Sequence, residues 1–193
     1  MELPMARLII LFSWLFLSPW VLANDFGIAM WGDTREQILG DEDRTNLTPI
    51  GRDQYLVYKT EVIGIPEVRL VYYFQQNLLS RGAFIFRYRH PNPADHIKDF
   101  DQINNIVSKK YGEPVRSGEI WRDPSKAEGI YDPIVQMTQD NLMYQAVWQT
   151  DRMVIEHQLG VTGGKIHHQM VYRPSKAVSS DLFGMPMADD QVF

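Results

Sequence analysis

Two periods run through this sequence. Over 55–63, 67–74 and 83–89, apolar and polar residues alternate, the period of a strand with one buried face. Leu56, Tyr58, Thr60 and Val62 share a face of the first stretch, and Val68, Leu70, Tyr72 and Phe74 a face of the second. Phe84, Phe86 and Tyr88 point inward from the third. The same period returns over 142–149, 152–159 and 165–173, with a shorter strand predicted at 119–122. Between the two sets, 95–111 carries Ile97, Phe100, Ile103, Ile106, Val107 and Tyr111 at the spacing of a helix with one buried stripe. Asp95 suits its N-cap, Asp99 and Asp101 suit its positive end, and Gly112 and Pro114 stop it. Asp33 and Glu36 stand at capping-box spacing ahead of Gly40, which predicts a short helix over 34–39. Asp132-Pro133 reads as an N-cap with proline in the first helical position, predicting a helix over 133–139.

Each half is therefore a helix followed by an antiparallel three-stranded meander, over about 24–90 and 91–174, with extra elements in the second. This predicts one α+β domain over 24–174. Its two layers are an antiparallel sheet and helices packed on one face. Thr150-Asp151 is a tight turn. Gly160-Val161-Thr162-Gly163-Gly164 reads as a longer one, which pairs Leu159 with Ile166. Residues 175–193 show no periodicity and are expected to be a disordered tail.

The N-terminus breaks the pattern. Residues 8–23 are an apolar run behind Arg7, interrupted by Pro19 and ending Val21-Leu22-Ala23 before polar Asn24-Asp25. This is the layout of a cleavable signal peptide over 1–23, cut after Ala23. The run is short for a membrane span. It implies export to the periplasm, with no stable membrane insertion after cleavage. A start at Met5 would remove Glu2 from the positive region and give a cleaner signal.

Composition narrows the chemistry. The 193 residues include no cysteine. That removes disulfides, thiolate metal sites, cysteine nucleophiles and lipidation at cysteine. A net charge of −5 gives no overall basic footprint for nucleic acid. No G-x-S-x-G, H-E-x-x-H or P-loop is present, so no catalytic residue is assigned and no cofactor is implied.

Trp31-Gly32-Asp33-Thr34 opening one helix, Tyr111-Gly112-Glu113-Pro114 closing another and Trp148-Gln149-Thr150 on a late strand carry a resemblance. In layout, 26–173 resembles a group of small exported bacterial proteins of uncharacterised function. Their organisation is similar to the tandem helix-plus-sheet units of the beta-lactamase inhibitor protein and to small outer-membrane assembly lipoproteins. The resemblance implies a binding or scaffolding role and brings no catalytic residue. The chain departs from the lipoproteins in lacking the lipidated cysteine.

Two places stand out as candidate sites. The predicted hairpins align Tyr144, His157 and His168 in a row across three strands, where paired imidazoles can share a metal or titrate near neutral pH. A buried polar row is the structural alternative, and no third ligand has metal-site spacing. His167 falls on the opposite face. The second candidate is the outer face of the first sheet, where Lys59, Arg69, Tyr73, Arg87 and Arg89 lie among Tyr55, Val57, Val71 and Ile85. Tyrosine and arginine favour interface centres. The plain alternative there is a solvated face with a Glu61–Arg69 pair. Trp31, Trp121 and Trp148 read as core anchors, and Asp41-Glu42-Asp43 as a solvated acidic loop. The leading expectation is a soluble periplasmic binding protein with an envelope protein as partner. A small-ligand or metal-binding protein using Tyr144, His157 and His168 is the alternative, and a periplasmic hydrolase a further one.

Overall fold

A computed structural model describes residues 24–48, 54–129 and 132–183. The signal-like segment lies outside them. The chain is α+β, built on one antiparallel sheet. The elements in order are α1 (Arg35–Asp41), β1 (Tyr55–Val62), β2 (Ile65–Gln75), β3 (Leu78–Phe86), α2 (Pro93–Tyr111), β4 (Arg116–Trp121), a 3₁₀ turn (Pro124–Glu128), α3 (Pro133–Thr138), β5 (Leu142–Gln149), β6 (Met153–Thr162), β7 (Lys165–Pro174) and α4 (Lys176–Phe183). The strand order is β1-β2-β3-β7-β6-β5-β4. The third strand of each meander therefore meets the other at the centre, joining two helix-plus-meander halves into a single sheet.

The alternation assigns the faces correctly. Leu56, Tyr58, Val68, Leu70 and Tyr72 are buried in one apolar cluster, and all four helices feed it. Ile38 comes from α1, Phe100, Ile103 and Val107 from α2, Met137 from α3, and Val178 and Leu182 from α4. Among the described residues, the cluster on the opposite face is made of strand residues: Val57, Val71, Ala83 and Val171, flanked by Tyr55, Tyr73 and Ile85.

Local chemistry explains most boundaries. Asn92 caps α2, accepting from the Ala94 amide at 3.2 Å with Pro93 in the first turn. Asp95 lies inside that helix and pairs with Lys98 instead. Thr34 caps α1 in a reciprocal box with Gln37, one position later than Asp33 with Glu36, and Gly40 continues the helix. Asp132 caps α3 as its sequence predicts. Trp148 is buried, and its indole N–H donates to the Gly112 carbonyl at 3.1 Å, tying the end of α2 to β5.

Three corrections follow from side chains the patterns under-read. Residues 176–183, placed in the tail above, form α4, because Val178 and Leu182 are spaced to dock on the core. Glu42 is not a solvated loop acid. Its carboxylate accepts from the Tyr72 hydroxyl at 2.9 Å and pairs with Arg44 at 2.6 Å. Tyr72 is itself buried, and burial is the main reason its hydroxyl titrates well above the ordinary range. The third concerns register. Gly163 and Gly164 alone make the β6–β7 turn, both with positive φ, and Thr162 pairs with Lys165. Gly160 lies within β6, facing Met143.

Candidate functional site

The turn position decides what the histidines meet. His157 lies opposite Met170, and His168 opposite Leu159, a slip of two residues from the expected pairing. Tyr144 lies opposite Leu159, again two residues away. A slip of two leaves each side chain on its predicted face. The imidazoles therefore still meet, diagonally, with their Nε2 atoms 2.9 Å apart. His157 Nδ1 lies 2.6 Å from Asn104 Oδ1 on α2. With that oxygen as acceptor, His157 Nδ1 carries the proton, and its bare Nε2 accepts from His168 Nε2–H.

The pair is enclosed. His157 has no exposure and His168 has 3%. Phe100 stacks on His157 with centroids 4.3 Å apart, and Phe86 stacks on His168 at the same distance. Burial pushes both imidazoles down, His157 far below the usual range and His168 to about 3. Two neutral rings joined by a hydrogen bond need no counter-charge, so this row satisfies itself inside the core. A shared tetrahedral ion would hold the two nitrogens about 3.3 Å apart, from zinc–nitrogen bonds of about 2.0–2.1 Å. Tyr144 stands apart, with its ring centroid 5.9 Å from that of Phe100, which stacks on His157. Burial, with Glu119, Asp101 and Asp132 adding to it, pushes its hydroxyl up to about 12.

The outer face mixes half-buried and exposed polar side chains around a buried apolar strip. Across β1–β3 and the facing part of β7, Lys59, Arg69, Ile85 and Gln169 form one row. Tyr55, Tyr73 and Arg81 form another around the buried valines. Tyr55 meets Tyr73 edge-on at 5.2 Å, and the Arg81 guanidinium lies 4.0 Å over the Tyr73 ring. Glu61 makes no pair with Arg69, whose guanidinium donates to the Thr48 hydroxyl at 3.0 Å. Lys59, Arg69, Arg81, Arg87 and Arg89 enter no ion pair among the described residues. The outer face of the other half neutralises itself. Glu156 pairs with Arg173 at 3.4 Å and accepts from Gln145 and Gln158, while Gln169 donates on to Gln158.

A cleft of about 280 Å³ lies where β3 and β7 part. Their pairing ends at Phe86 opposite His168. Beyond it, Arg87 and Arg89 face Lys165 and His167 across the opening. The sequence marks Arg87 and Arg89 but not Lys165, because the strand that brings it near comes from the other half of the chain.

A further group escaped the sequence reading. His90, His96 and Asp99 bring ligand atoms within 4.8 Å of one another. His90 Nε2 lies 2.6 Å from Asp99 Oδ2, and the His90 backbone amide donates to His96 Nε2 at 3.2 Å. Burial, reinforced by His90, holds His96 below the ordinary imidazole range. The readable signal was a histidine just ahead of a proline-started helix, with His96 and Asp99 three apart on it.

Compared with protein families, curated proteins and solved structures, the chain matches none.

Proposed function

We propose that this is a non-catalytic binding protein, exported to the periplasm, whose outer β1–β3 face docks an acidic protein of the cell envelope. One observation carries the reading: a sheet face on which none of the described helices packs, whose cations have no carboxylate partners among the described residues, in a chain of net charge −5. Its composition is that of an interface centre, with Tyr55, Tyr73 and Ile85 around a valine strip and arginines at the rim. Self-neutralisation of the other half of that face directs the partner to β1–β3. The cleft at Arg87 and Arg89 supplies a recess for a partner carboxylate, where a guanidinium can bind bidentately. The leader-like segment supports export, and the absence of a catalytic motif supports binding over turnover.

The test is charge reversal. In periplasmic extract at low salt, the mature protein should retain an acidic envelope protein and release it as ionic strength rises. Arg87→Glu with Arg89→Glu should abolish retention while leaving the melting temperature within a few degrees, since both side chains are exposed. Retention unchanged by the reversal would contradict the reading.

A further inference from the structure

We propose that His90, His96 and Asp99 form a binding site for a divalent transition-metal ion of borderline softness, with Zn²⁺ the best match. The site is assembled from two neighbouring pieces of chain. His90 lies in the loop that leaves β3, and His96 and Asp99 lie on one side of α2 within its first two turns. Pro93 and the Asn92 cap fix where that helix begins, and so fix the second and third ligands relative to the first.

The donor set selects the ion. Two imidazoles and a carboxylate suit Zn²⁺ and its first-row neighbours, whereas Mg²⁺ and Ca²⁺ call for oxygen ligands throughout. Three protein ligands leave the fourth tetrahedral position for water. Convergence within 4.8 Å leaves small side-chain movements to reach bonds of about 2.0–2.2 Å. The surroundings also fit. His96 is buried, while the His90 and Asp99 side chains keep 20% and 15% exposure, so the site is sheltered yet open to solvent.

The apo contacts show what the ion would replace. His90 and Asp99 already share a short contact, and metal entry would place the ion between them. The lone pair of His96 Nε2 now faces a backbone amide at 3.2 Å, the long end of the hydrogen-bond range. Coordination would exchange that bond for a stronger one. An ion pair of His90 with Asp99 accounts for two of the three groups. It does not account for the third group, the His96 imidazole, whose ring centroid lies 4.7 Å from that of His90. A bound ion would clamp the loop after β3 onto α2, directly beside Arg87 and Arg89. The site stands independently of whether the outer face binds a partner.

The test uses tag-free mature protein, treated with chelator and dialysed. Zn²⁺ is titrated calorimetrically, and Co²⁺ serves as a spectroscopic probe. One equivalent of each should bind, with Co²⁺ giving visible ligand-field absorption of tetrahedral type. His90→Ala and Asp99→Asn should each weaken binding by at least about tenfold, the lower end of what even an outer-shell partner of a metal ligand contributes. Both replaced groups are only partly buried, and circular dichroism checks that each variant folds. His167→Ala, an exposed imidazole on the other face, should bind as the parent does. No heat and no absorption with the parent would overturn the proposal. So would undiminished binding by a folded His90→Ala/Asp99→Asn double variant.

Discussion

His157 and His168 illustrate what burial does to a titratable side chain. In water each would be half protonated near pH 6.5. In the core each keeps one proton on the ring, which the hydrogen bonds to Asn104 and between the rings use. A second proton would put a charge between two phenyl rings. The folded-state value lies below the unfolded one, so the unfolded chain binds more protons between about pH 6.5 and 3. The pair's contribution to stability is thus fully present above pH 6.5 and is lost on acidification through that window. Urea unfolding should show stability falling by roughly 1 kcal/mol per pH unit for each histidine below pH 6. His168→Gln keeps a donor toward His157 and should remove about half of that slope. An unaltered slope in this variant would mean that the carboxylates alone set the acid limb. The sequence placed these two residues on the right face. What it could not supply was the identity of their lids, because Phe86 and Phe100 arrive from β3 and α2.

At the scale of elements, the boundaries follow from caps and glycines more than from hydrophobic period. α2 ends at Gly112, whose φ of 85° and ψ of −174° lie in a region open essentially to glycine. Gly112→Ala should therefore cost about 2 kcal/mol in chemical denaturation, even though no side chain crowds the position. A cost near zero would show that the turn relaxes into another conformation and that the tie to Trp148 does not hold it. The period-two stretches were legible because one face of each strand is buried and the other is not. The β6–β7 register was less so. Five residues containing three glycines suggest a long loop, and only the β-branched Val161 and Thr162 hint that the strand continues through Gly160. α4 escaped because its core-facing apolar positions, Val178 and Leu182, are too few to set a period. They become informative only once Gly32 offers Leu182 a surface without a side chain.

At the scale of the molecule, the two halves meet through β3 and β7, and one long-range ion pair braces the result. Asp25 is buried and holds Arg152 by two contacts of 2.7 Å, which joins the start of the described chain to the β5–β6 turn. The described helices all feed one apolar cluster, and the cluster on the opposite face draws, among the described residues, on the strands. Its halves differ in electrostatics: glutamines and Glu156 close on one another in one, and arginines with no ion pair among the described residues lie around tyrosines in the other. The candidate partner residues were legible because strand alternation puts Lys59, Arg69 and Tyr73 on one surface. The cleft was not, since it depends on a strand pairing that ends between the two halves. The most direct test of this account is photocrosslinking in living cells from a benzophenone residue at position 85, with position 158 as the comparison on the same sheet face. The account predicts an adduct with an acidic envelope protein from position 85, little from position 158, and loss of the adduct when Arg87 and Arg89 become glutamate. Equal adducts from both positions, or an adduct that survives the charge reversal, would contradict it.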